Sequence, residues 1–238
     1  MKILCLYTFH EINGSVINFI ENCLFEDKNI DFLLVSNNLN ITKEHLKLPN
    51  YCNFVSRENT GFDFGGWSYG LLIGKKYLDY DYFILCNCNI IGPFLKNDNK
   101  KWTDFFIDGL KNNVRIFGPT INCRGLRGDF QPHLQNYVCS MNKETLEFLI
   151  EKNIFSLVNI AKSYHQAILE KEILMSKLII ENGWNIGCFL KCYDGYDFTK
   201  INKKSKKYYG DLMFPRFQNK AWVKEDLIFI KSNRGILY

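Results

Sequence analysis

The chain has 238 residues, 47% hydrophobic and 23% charged, with a formal net charge of +5. These values are ordinary for a soluble globular protein able to bury a sizeable core, as one large domain or a core with a smaller appendage. They exclude a nucleic-acid module, which needs a broad basic face, and no apolar run approaches the roughly 20 residues of a membrane span.

Along the chain, residues 2–9 read as a strand buried on both faces, not as a secretory signal, because His10 and Glu11 interrupt the apolar run. Val16, Ile17, Phe19, Ile20 and Leu24 recur at helical spacing and predict a helix over 16–25. Strands are predicted over 31–36 and 51–56, a helix over 66–78, and the most strand-like run over 81–88. A short helix over 102–110, strands over 114–118 and 138–141, and a helix over 143–152 follow. A long helix over 164–182, stopped at Asn182-Gly183, leads to a strand over 185–190. Strands alternating with helices predict α/β architecture, a mostly parallel sheet flanked by helices on both faces.

The nine cysteines are odd in number and contain no CxxC; Cys5, Cys52, Cys86, Cys139 and Cys188 lie in apolar, strand-like runs as small buried hydrophobes. The expectation is a reduced, cytoplasmic protein. The aromatic share of 16% reads first as packing area.

Ligands of such sheets sit at the carboxyl ends of strands, which places residues 8–13, 37–38, 57–67 and 87–93 around one cleft. The stretch RENTGFDFGGWSYG (57–70) carries four glycines among aromatics. Gly61, Gly65 and Gly66 are expected to let the backbone turn and approach a ligand, with Asp63 capping the next helix or binding hydroxyls. Neither GxGxxG nor a P-loop GK[ST] is present. In FILCNCNIIGPF (83–94), Asn87 and Asn89 alternate onto one side of the strand end, an N-x-N where many sugar-nucleotide enzymes carry a metal-holding D-x-D.

Together, ENTGFDFGGWSYGL, YDYFILCNCNIIGPFL, WTDFF, FGPTINC, PHLQNYVCSMN and EILMSKLIIENGWNI resemble the motifs of small GT-A-type glycosyltransferases. This group is related to the rhamnan-synthesis-type transferases, with members in plants and giant viruses. The resemblance implies a GT-A core over 1–196 and a C-terminal extension over 197–238. It implies transfer of a hexose-type sugar from a nucleotide-sugar donor, UDP-linked, to a glycan or protein hydroxyl.

Carried onto this sequence, the resemblance places Asn59, Gly61, Asp63 and Trp67 at the donor and Thr8 and Phe9 at the base and ribose. His133 and Gln135 fall on the acceptor side, and Asn87 and Asn89 at the metal position. N-x-N replaces both carboxylates, so no metal ligand is assigned, and Mn²⁺ or Mg²⁺ dependence stays open. Arg57, Arg124, Arg127 and the lysines of 200–207, Lys204 among them, are candidates to neutralise the leaving diphosphate, the last as a basic lid. Glu172 is the first choice of general base, followed by Asp63, His133 and Glu170. The alternative is a non-catalytic nucleotide- or glycan-binding module on a degenerate fold.

Overall fold

Residues 1–96, 99–200 and 209–236 are described here from a computed structural model. The first strand sets the layering. In β1 (Ile3–Phe9) all seven residues are buried. Leu4 and Leu6 join one hydrophobic cluster, while Ile3, Cys5, Tyr7 and Phe9 join another. Period-two alternation in a fully apolar strand therefore demands cover on both faces.

Parallel pairing joins β1 to β2 (Ile30–Ser36) and β2 to β3 (Cys52–Ser56), while β4 (Tyr82–Asn87) lies parallel on the other side of β1. The short β5 (Ile90–Ile91) leaves the sheet. Beyond β6 (Val114–Gly118), β7 (Ile121–Arg124) and β8 (Phe130–Leu134) form a separate antiparallel pair. β9 (Val138–Asn142) inserts antiparallel between β4 and β6, and β10 (Asn185–Cys188) closes the edge parallel to β6. The seven-stranded order is β10-β6-β9-β4-β1-β2-β3. The sheet is mostly parallel, as the alternation of elements predicts, with β9 reversed.

One face is covered by α1 (Gly14–Asn22), α2 (Lys43–Leu46) and, later in the chain, Trp102 and Phe106. The other is covered by α3 (Phe62–Leu72), which contributes Phe64, Trp67 and Leu71. Trp102 and Phe106 belong to α4 (Trp102–Asp108), and α5 (Lys143–Glu151) packs on the same side as α3. Asn13 and Asn142 cap α1 and α5 by accepting backbone N–H groups. The predicted long helix is broken into α6 (Tyr164–Ala167), a π-helical turn (Ile168–Ile173) and α7 (Leu174–Glu181).

Residues 209–236 return to the body of the protein. After α8 (Lys224–Leu227), β11 (Ile230–Lys231) pairs antiparallel with β5. Leu212, Met213, Trp222, Leu227 and Ile230 are buried in the α3-side core, and Phe229 stacks edge-on against Trp102 at 5.1 Å. β5, β7, β8 and β11, two to five residues long and outside the central sheet, are not among the predicted strands. All nine cysteines are unpaired. No helix among the described residues is long and apolar enough to cross a membrane.

Candidate active site

Three parallel strands end at one cavity of about 280 Å³. Phe9 ends β1 and His10 follows it, Asn37 follows β2, and Asn87 ends β4 with Cys88 and Asn89 just beyond. This is where the fold leaves strand ends free to hold a ligand. The first turns of α3 supply Phe62, Asp63, Phe64 and Trp67, and the π-helical turn supplies Ile168 and Glu172.

Asp63 is the best-held carboxylate of the cavity. Asn87 donates from Nδ2 to its Oδ2 at 2.9 Å, while Asn87 Oδ1 accepts from the Asn89 backbone at 3.0 Å. Burial pushes the Asp63 carboxyl up to about 6; the Asn87 hydrogen bond and Lys231 oppose that shift, and Glu172 adds to it. Phe62, the residue before it, has φ +56° and its carbonyl accepts from Asn37 Nδ2 at 3.2 Å. A bulky residue in the left-handed region is costly and is held here by its surroundings.

Trp67 is 1% exposed and donates from Nε1 to the Cys86 carbonyl at 2.9 Å, so it both walls the cavity and ties α3 to β4. Asn136, 4% exposed, lines the same cavity with neither side-chain amide atom bonded within the protein. A buried amide without partners is expensive unless a ligand completes it.

The glycines act differently from the expectation. The helix begins at Phe62, four residues before the predicted start, so Gly65, Gly66 and Gly70 lie inside it. A Cβ on Gly65 would sit 2.0 Å from the Thr60 carbonyl oxygen, one on Gly66 2.4 Å from Thr8 Cγ2, and one on Gly70 2.4 Å from Leu6 Cδ2. The close approach is of helix on sheet and turn, not of backbone on ligand. Gly61 alone of the four supplies a turn, with φ +76°. No glycine lines the cavity.

The other predicted residues divide. Phe9, Asn59, Asp63, Trp67, Asn87, Asn89 and Glu172 converge on the cavity. Thr8 and Gly61 do not line it: Thr8 is wholly buried beneath α3. The Arg57 guanidinium is spent on the loop, donating to Asn37 Oδ1 at 2.7 Å, Thr60 O at 2.9 Å and Thr60 Oγ1 at 2.6 Å. His133, 5% exposed, lies on β8 with Nδ1 bonded to the Gln131 carbonyl, and Gln135 Oε1 accepts from Thr120; neither lines the cavity. Glu170 is exposed and accepts from Gln166, and Arg124 and Arg127 lie elsewhere. Of the expected lid over 200–207, Lys200 pairs with Asp197 at 3.0 Å and does not line the cavity, while Lys204 and the rest fall outside the described residues.

The cations that do line the cavity are Lys231, on β11, and Arg234, in the following turn. Neither was among the sequence candidates. The available signal was the spacing K-x-x-R after the apolar run LIFI, which is modest beside five lysines in KINKKSKKYY. Burial holds the Lys231 ammonium below its ordinary range, while Glu172, Asp211 and Asp63 pull it back up and Arg234 pushes the same way as burial.

The donor set does not fit a divalent metal. Of the N-x-N pair, Asn87 turns its N–H toward Asp63 and gives its oxygen to Asn89. Among the described residues, Asp63 and Glu172 are then the only carboxylates in the lining, with an ammonium beside them. Hard cations want several charged or free oxygens. Among the described residues no cluster of three or more His, Cys, Asp or Glu is arranged for a metal.

Residues 32–236 match the family described as RgpF, rhamnan synthesis protein F. Among solved structures the chain is similar to the glycosyltransferase GlyE of Streptococcus pneumoniae TIGR4, with TM-score 0.45 and 13% identity over 82% of this chain and 48% of that one. It thus spans about half the length of that protein. It is also similar to a glycosyltransferase involved in glycosylation of the major capsid of PBCV-1, with TM-score 0.44 and 15% identity over 98% of this chain and 95% of the other. A cytidylyltransferase from Leptospira borgpetersenii follows, with TM-score 0.40 and 11% identity over 77% of this chain and 72% of that one. No curated protein sequence matches. With most of its length matched, the chain belongs to the rhamnan synthesis protein F family.

Proposed function

We propose that the cavity transfers a hexose-type sugar from a UDP-linked donor to a hydroxyl of a glycan or protein. The observation that carries this reading is Asp63, a carboxylate held by Asn87 at the strand ends and raised to about 6, close to working pH. A general base is most effective when its pKa lies near the pH at which it acts. In a direct displacement, the acceptor oxygen forms its bond to the anomeric carbon and gives its proton to a carboxylate. The bond from that carbon to the diphosphate breaks, and its electron pair leaves on the phosphate oxygen. Asp63 is the proton acceptor favoured here; Glu172 faces the same cavity from the π-helical turn and is the competing choice.

The UDP and hexose assignments rest on the resemblance of the motifs. The cavity adds polar groups suited to hydroxyls and a base: Asn59 and the unpartnered Asn136. The test is release of the free nucleotide, a nucleoside diphosphate from UDP-, GDP- and dTDP-sugars and CMP from CMP-sugars, with and without simple glycan acceptors. Asp63→Asn should lower turnover by ~10²–10⁴-fold, the range for losing a general base, and Glu172→Gln tests the competitor. Absence of turnover with every donor, while a nucleotide still binds, would instead assign the chain to the non-catalytic module.

A further inference from the structure

The N-x-N end of β4 has two structural jobs. Asn87 orients Asp63, as described. Asn89 reaches the C-terminal turn: its carbonyl accepts from the Ser232 backbone at 3.0 Å, and its Oδ1 accepts from Asn233 Nδ2 at 3.3 Å. The ladder pairing of Lys231 with Ile90 holds the start of the same turn. So the position where relatives are expected to hold a metal here fastens the segment that carries two cations.

Those cations are prepared in different ways. The Arg234 guanidinium is fixed by Asp211, at 2.9 Å, and lies over the Phe214 ring at 5.3 Å. Its Nε is buried with no partner in the protein. The Lys231 ammonium lies 5.4 Å from the centre of the Tyr137 ring and makes no hydrogen bond or ion pair among the described residues. A desolvated ammonium without a fixed partner is costly, and an anionic ligand would remove that cost. One cation is a fixed fork matched to phosphate oxygens, the other a point charge with three donors.

We infer that, at the nucleotide-sugar site proposed above and dependent on that reading, Lys231 and Arg234 bind the donor diphosphate directly, in place of a divalent cation, with Asn89 positioning their turn. The charge that develops on the departing phosphate oxygen then meets two cations already in place, which is how preorganised electrostatics lowers a barrier. Asp63 and Glu172 come from other segments and are left for the acceptor proton.

The experiment is calorimetric titration of the full chain with UDP, uridine and inorganic pyrophosphate, each in EDTA and again in Mn²⁺. UDP should bind equally under both conditions, and pyrophosphate should compete with it. Lys231→Met should weaken UDP by at least ~30-fold, the scale for truncating one partner of a buried charge pair, and leave uridine affinity unchanged. Lys231→Arg should restore most of the loss, and Asn89→Ala should weaken UDP while sparing uridine. Binding that requires Mn²⁺, or a Lys231→Met variant with unchanged UDP affinity, would overturn the inference and leave the transferase reading standing. If UDP, GDP, CMP and dTDP all fail to bind in either condition, both fall together. Should Lys231→Met fail to fold, the wild-type comparison of EDTA with Mn²⁺ still decides.

Discussion

Two segments meet at the cavity, and they could hardly look less alike in sequence. Residues 57–70 are conspicuous, with four glycines and four aromatics; residues 228–236 are an ordinary apolar run followed by a polar turn. The conspicuous segment is mainly architecture. Three of its glycines let α3 sit against β1 and the Thr60 turn, and its Arg57 holds the loop. What it brings to the cavity is Asp63, Asn59 and an aromatic wall of Phe62, Phe64 and Trp67. The inconspicuous segment brings both cations. Sequence salience therefore tracks steric demand more closely than ligand contact: tight packing restricts many positions at once, whereas a site needs only one or two charges.

The comparison can be broken by variants that separate fold from site. The largest stability effect concerns Asp63. Its carboxyl is raised from 3.8 to about 6, so the folded protein holds that proton more tightly than the unfolded chain. The resulting stabilisation is complete below about pH 4 and is lost as pH rises through about 6. Asp63→Asn should consequently be more stable than the parent at pH 8 by up to about 3 kcal/mol, taking ~1.4 kcal/mol per pKa unit. The gap should close at pH 4, as urea unfolding at the two pH values would reveal. A variant that loses turnover while gaining stability marks Asp63 as a site residue.

Gly66→Ala should do the reverse. The added methyl meets Thr8 Cγ2 at 2.4 Å, and overpacking of this kind costs about 1–3 kcal/mol. Equal stability of this variant and the parent in urea would mean that α3 does not sit this tightly on β1. Trp67→Phe keeps most of the apolar area but loses the bond to the Cys86 carbonyl, at an expected cost of about 1 kcal/mol in the same assay. The smallest effect is expected from Asn233→Ala, which removes an exposed bond to Asn89. Its stability should change by less than about 0.5 kcal/mol, while UDP affinity should fall several-fold. A shift in its melting temperature with unaltered UDP affinity would reverse the contrast between the two segments.

Much of the scaffold was legible because burial writes itself into local patterns. β1, β2, β4, β6 and β9 follow from apolar runs of strand length, and α1 from helical spacing. The start of α3 was misplaced because glycine is a poor helix former, and only contact with Thr8 and Thr60 explains its use inside a helix. The π-helical turn that presents Glu172 leaves the apolar periodicity almost unchanged and so gives no signal. His133 looked chemical beside Gln135, yet both are absorbed in hydrogen bonds away from the cavity.

By itself, then, the sequence determined the α/β class, the strand ends where a ligand would sit, and the convergence of Phe9, Asp63, Trp67, Asn87 and Asn89, because each follows from periodicity within a few residues. Tertiary structure decided which glycines serve packing, which carboxylate is raised, and which cations reach the cavity. The contact that fastens Lys231 and Arg234 joins Asn89 to Asn233 across 144 positions. No local pattern encodes such a separation; it exists only once the sheet is formed and the C-terminal segment has packed back against it.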